Sequence, residues 1–118
     1  MSAKLSTHVL DTARGHPAQG IKIELWSLAG KKRKRLKTVR TNADGRTDQP
    51  LLDTGEMKMG EYELVFFVGD YFTGKHPATP KIPFLDCVPV RFGINDARAS
   101  YHVPLLVSPW AYSTYRGS

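Results

Sequence analysis

The heptapeptide YHVPLLV, residues 101–107, puts Tyr101, Val103, Leu105 and Val107 on one side of an extended chain and His102 on the other. Apolar residues at every second position mark a strand with one buried face, because successive side chains of a strand point to opposite faces of its sheet. The same period returns along the chain. GIKIELWSL (residues 20–28) sets Ile21, Ile23 and Leu25 against Lys22, Glu24 and Trp26. EYELVFFV (61–68) sets Tyr62, Leu64, Phe66 and Val68 against Glu61, Glu63, Val65 and Phe67, and CVPVRFGI (87–94) aligns Val88, Val90, Phe92 and Ile94. Turn-forming clusters such as HPAQG, NADG and MKMG separate these runs. No long stretch has helical period, and no internal repeat of about 20 residues or more is present. The pattern predicts about seven or eight short strands in an all-β sandwich. Pro89 and Pro104 fall inside strand patterns, where the missing N–H predicts an edge or a bulge. Open edges invite pairing with another chain, so an oligomer is expected. Residues 69–83, rich in Gly and Pro, are the exception to the period. There Asp70 is expected to cap one helical turn that Gly74 ends.

The 118 residues suit one domain with its own core. Hydrophobic residues make up 41% and charged residues 24%, the balance of an ordinary globular chain, and no apolar run is long enough to span a bilayer. The opening MSAKLSTHVLD has none of the features of a secretory signal, and Cys87 has no second cysteine to pair with. A cytoplasmic protein without a membrane partner is expected. The net charge of +6 has one source, since KKRKRLK (31–37) carries six positive charges and the rest of the chain is neutral without them. Such a run reads first as a solvated hairpin tip and only second as a nucleic-acid contact, because its basicity belongs to a loop and not to a face.

Candidate chemistry is sparse. If LSTHVLD (5–11) is a strand, His8 shares a face with Ser6 and Leu10, opposite Thr7 and Val9. His102 lies opposite Tyr101, Val103 and Leu105. Both histidines therefore sit away from the apolar side, and either could move protons near neutrality. His16 and His76 precede prolines and read as loop residues. One cysteine and the lack of H-x-x-x-H or C-x-x-C spacing argue against a metal site. A G-x-S-x-G elbow and a glycine-rich phosphate loop are also missing. Asp44-Gly45 makes a tight turn and Arg46 follows it, which could aim a forked guanidinium at a carbonyl or carboxylate. The tail AYSTYRGS (111–118) uses Tyr112, Tyr115 and Arg116, residue types that pack or bind more often than they fray.

Three pieces, in order, carry a resemblance. LSTHVLDTARGHPAQGIKIEL (5–25), TNADGRTDQPLL (41–52) and YHVPLLVSPWAYSTYRGS (101–118) resemble the 5-hydroxyisourate hydrolase branch of the transthyretin family, the transthyretin-related proteins. The likeness runs over nearly the whole chain. YRGS is its most specific piece, whereas GKKRKR and TGKHPATPKIPFLDC carry little of it. The resemblance implies a transthyretin-like (prealbumin-like) sandwich of two antiparallel sheets with one short helix, as a single domain over residues 1–118. It implies a homotetramer, a dimer of dimers, with sites in the channels where dimers face each other. The implied reaction is hydrolysis of 5-hydroxyisourate, the product of urate oxidation, to 2-oxo-4-hydroxy-4-carboxy-5-ureidoimidazoline on the way to allantoin. No cofactor and no metal are implied.

The family's functional positions fall on His8, Arg46, His102 and the tetrapeptide Tyr115, Arg116, Gly117 and Ser118, without a departure. His8, Arg46, His102 and Ser118 are the implied catalytic set. His8, Arg46, Tyr115, Arg116 and Gly117 are the implied substrate contacts. Tyr115 is shaped to stack on a flat purine-derived ring, and Ser118 to hold a histidine or the attacking water. Either histidine can be the base. A carrier of a small aromatic ligand on the same fold is the competing reading, disfavoured because such a channel should be apolar.

Overall fold

The computed structural model describes residues 2–30, 32–77 and 79–117. The strands are β1 (Leu5–Asp11), β2 (His16–Pro17), β3 (Lys22–Ser27), β4 (Lys34–Arg40), β5 (Gly60–Phe66), β6 (Val88–Ile94), β7 (Tyr101–Val107) and β8 (Tyr112–Thr114), with helix α1 (Val68–Phe72) after β5. They form two four-stranded sheets, ordered β2-β1-β7-β8 and β4-β3-β5-β6. The two-sheet sandwich with one short helix is thus the fold. One pairing departs from the expected antiparallel pattern. β1 and β7 run parallel, from Leu5 opposite Tyr101 to Asp11 opposite Val107. The first sheet is therefore mixed. Hairpins impose antiparallel sense only on neighbours in the chain. Here the paired residues Ser6 and His102 are 96 positions apart, with the whole second sheet between them.

The alternation read from the sequence is the alternation of burial. In β1, Leu5, Thr7, Val9 and Asp11 point inward, while Ser6, His8 and Leu10 are half-buried on the outer face. In β7, Tyr101, Val103, Leu105 and Val107 are buried and His102 is half-buried. They meet Ile23, Leu25, Leu64 and Phe66 of the other sheet, all fully buried. Each such side chain contributes about 1.5–3 kcal/mol by leaving water.

The strand β5 is buried on both faces, Glu63 and Val65 included. What covers its outer face is the basic run. The Arg33 guanidinium lies 3.9 Å over the Trp26 ring and pairs with Glu63, which Arg91 also reaches at 2.9 Å. Arg35 reaches Glu24 at 3.5 Å and Lys37 reaches Glu56 at 2.8 Å. The run is thus partly the strand β4 and partly a cover for the sheet, with Lys31 outside the described residues. The exposed pair of Lys37 with Glu56 contributes only about 0–1 kcal/mol, but together the pairs take up charges that a solvated tip would leave free. Burial pushes the Glu63 carboxyl up, and the hydrogen bonds from Arg91 and Arg33 outweigh it and hold the group below its ordinary range.

Pro89 lies in β6, an edge strand, as the missing donor requires. Pro104 does not: β7 is an interior strand. The ladder with β8 ends at Leu105 opposite Thr114, so the absent N–H falls just past it, and the Thr114 hydroxyl donates to the Pro104 carbonyl at 2.7 Å. The helix also departs in detail. It begins at Val68, and Asp70 sits in its first turn without capping it. It stops at Thr73, whose N–H donates to the Gly69 carbonyl, and Gly74 follows at φ +83°. Tyr71 of this helix donates its hydroxyl to Asp11 Oδ2 at 2.8 Å, and the Arg14 N–H satisfies Oδ1 at 3.0 Å. That contact ties the helix to the end of the strand that carries His8. Among the described residues no helix is long and apolar enough to cross a membrane.

Candidate active site

The parallel register of β1 and β7 builds the site. It places Ser6 beside His102 and His8 beside Pro104, all on the outer face of their sheet. Ser6 Oγ lies 2.8 Å from His102 Nδ1. His8 is the diagonal neighbour of His102, a placement about 7–8 Å away in an ordinary sheet.

Arg46 arrives from the turn that follows β4. Asn42 Oδ1 accepts from the N–H groups of Asp44 and Arg46 at 2.9 and 3.2 Å, and the Asn42 N–H donates to the Arg46 carbonyl at 2.7 Å. Gly45 has φ +76°, and a Cβ there would come within 2.4 Å of the Val9 carbonyl and 3.3 Å of His8 Cδ2. Only glycine lets the turn approach so closely. The Val9 N–H donates to the Gly45 carbonyl at 2.8 Å, which docks the turn on β1. The exposed Arg46 then shares a concavity of about 350 Å³ with Lys4, Ser6, Ser100, Tyr101 and His102.

The tail closes the other side. The antiparallel register that pairs Leu105 with Thr114 resumes beyond Pro104, where His102 bridges Gly117 and the Gly117 N–H donates to the His102 carbonyl at 2.7 Å. A Cβ on Gly117 would stand 2.6 Å from His102 Cδ2, so the glycine lies flat against the imidazole. The same register sets Tyr115 across Pro104 from His8, with its ring exposed. Arg116 turns to the inner side instead. Its guanidinium lies 4.1 Å over the Tyr101 ring and donates to the Ser100 carbonyl at 3.3 Å. The structure therefore brings together His8, Arg46, His102, Tyr115 and Gly117 and directs Arg116 to Tyr101. Ser118 lies outside the described residues.

The electrostatics separate the histidines. Burial, then the positive charge of Arg46 and of His8, hold the His102 imidazole below its ordinary value of 6.5. It is neutral, and so able to accept a proton, at neutral pH. Among the described residues no three His, Cys, Asp or Glu side chains converge as metal ligands would. A more apolar hollow opens between β6 and β8, lined by Val90, Phe92, Tyr101 and Val103, but it is the open edge of the sandwich and lacks a base. Ser6 is the contributor not singled out from sequence. Its one signal is the face it shares with His8.

Comparison with known proteins identifies the family and agrees with the fold. The family model described as HIUase/Transthyretin family matches residues 5–117. The chain is 56% identical over 117 residues to "5-hydroxyisourate hydrolase 2" of Rhizobium meliloti (strain 1021), covering 99% of this chain and 98% of that one. It is 58% identical over 115 residues to the 5-hydroxyisourate hydrolase of Mesorhizobium japonicum, covering 98% and 92%. Among solved structures, (S)-allantoin synthase superposes with a TM-score of 0.92 at 46% identity, over 99% of this chain but only 44% of that longer one. The chain belongs to the HIUase/Transthyretin family.

Proposed function

We propose that this chain hydrolyses 5-hydroxyisourate to 2-oxo-4-hydroxy-4-carboxy-5-ureidoimidazoline, a step of urate degradation toward allantoin. The observation that carries the reading is a half-buried His102, bonded at Nδ1 to Ser6, that shares a concavity with Arg46 and an outer sheet face with His8. Water gives a proton to His102 Nε2 as its oxygen adds to a ring carbonyl carbon. Arg46 holds the oxygen on which negative charge develops, always protonated and forked. The carbon–nitrogen bond of the six-membered ring then breaks. The carbon leaves as a carboxylic acid, and the freed nitrogen takes its proton from His102, which returns neutral. His8 and Tyr115 orient the flat ring, and Ser118 is assigned to the water or a histidine. A channel with this polar set suits a hydrolase better than a carrier of an apolar ligand.

Carbon NMR of urate oxidised in the presence of the protein tests the assignment. The signals of the ring-opened carboxylate should appear early and at a rate unchanged by EDTA. A substrate that persists as in the control overturns the reading, and loss of rate on chelation overturns its dependence on His102 and Arg46 alone.

We further propose a cytoplasmic single domain over residues 1–118, assembled as a homotetramer, a dimer of dimers, with sites where dimers face each other. The exposed Trp110, Tyr112 and Tyr115 in and beside β8 support it, since a lone chain gains nothing by holding them in water. Light scattering should give roughly four times the 13.2 kDa chain mass. A fully active monomer contradicts the assembly.

A further inference from the structure

We infer that Ser6 is the positioning residue of His102, holding Nδ1 so that Nε2 keeps its lone pair and faces the concavity. The inference rests on the hydrolase reading above. Ser6 and His102 are register partners on adjacent strands, and Ser6 Oγ lies 2.8 Å from Nδ1. A neutral imidazole has one N–H and one lone pair, and the partner of one nitrogen decides the role of the other. For Nε2 to take a proton from water, Nδ1 must carry the hydrogen and donate it to Ser6 Oγ. That same bond survives when His102 becomes imidazolium, so Ser6 need not reorganise during the proton transfer. The Gly117 backbone, pressed flat on the ring, blocks rotation away from it.

The choice of a hydroxyl has a second consequence. A carboxylate at this position would orient the ring equally well but would stabilise imidazolium and raise its pKa. A neutral hydroxyl orients without adding charge. Among the described residues, the charged groups placed around His102 are cationic: Lys4 and Arg46 on the shared concavity, with His8 beside them on β1. Ser6 thus leaves the depressed basicity of His102 intact, and the base stays available down to mildly acidic pH.

Three variants of the full chain test this, with imidazole ¹⁵N NMR beside steady-state kinetics. Ser6→Ala should lower kcat about 10- to 100-fold with little change in KM, and should turn His102 from one tautomer into a mixture. Ser6→Thr keeps the hydroxyl on a strand that tolerates β-branching, and should restore both readouts. Ser6→Asp should move the acid limb of kcat, and the NMR titration of His102, to higher pH. A Ser6→Ala protein with unchanged tautomer and kcat overturns the inference. So does an Asp variant whose His102 titrates as in the parent. If Ser6→Ala fails to fold, the Thr and Asp variants still decide. A parent protein that locks His102 with Nδ1 protonated, yet leaves 5-hydroxyisourate untouched, contradicts the hydrolase reading and not the role of Ser6.

Discussion

Replacing His102 with asparagine is expected to leave a folded protein whose turnover of 5-hydroxyisourate falls about 10²- to 10⁴-fold, the usual contribution of a general base. The side chain lies on the outer face of β7, so its loss removes the Ser6 contact and little of the core. The pH dependence gives a second readout. His102 is held below its ordinary value of 6.5, first by burial and then by Arg46 and His8. The rate of the parent should therefore fall as pH drops through a value below 6.5. That acid limb should vanish in His102→Asn. The same shift has a stability consequence of determined sign. Between the folded value and 6.5 the unfolded chain binds the His102 proton more readily, so stability declines as pH falls through that window. His102→Asn should remove this component. A variant that keeps the parent rate and limb would transfer the base role to His8.

Deleting Tyr115–Ser118 should produce the second large effect: a rate loss on the order of a hundredfold or more in a chain that still folds. The core lies in β1, β3, β5 and β7, and the tail adds the Gly117-to-His102 hydrogen bond and the Arg116 contact with Tyr101. A neutral hydrogen bond contributes about 0.5–1.5 kcal/mol, too little to decide folding. Its value is positional, since a base displaced by about 1 Å can lose a hundredfold. Gly117→Ala isolates that contact. The added methyl would stand 2.6 Å from His102 Cδ2, so ring or tail must move. Circular dichroism should be unchanged in both variants while the rate falls. A truncated protein with near-full activity would show that the tail does not position His102.

Much of the fold was legible because it obeys local rules. The period of two in YHVPLLV and LSTHVLD gives the strands and the correct faces, and hence the outer placement of His8 and His102. Asp44-Gly45 announces the turn that delivers Arg46, whose glycine indeed sits at positive φ. What was not legible depends on distance in the chain. No local signal tells that β1 runs parallel to β7, or that Ser6 meets His102 across 96 residues. Pro104 pointed to an edge because its missing donor was visible and the early end of the β8 ladder was not. The outer face of β5 looked solvent-directed, since Glu63 is charged. Its burial depends on Arg33 folding back from another hairpin. Arg116 belongs to a tetrapeptide read as one unit. Strand alternation splits it, sending Arg116 to Tyr101 and Gly117 to His102.

The most direct test of the central claim is the decay of the near-ultraviolet band of 5-hydroxyisourate, generated in situ from urate, with and without catalytic amounts of the protein. Decay that accelerates in proportion to protein concentration, and returns to the uncatalysed rate with His102→Asn, is the predicted result. Decay at the uncatalysed rate with the folded parent protein would contradict the account.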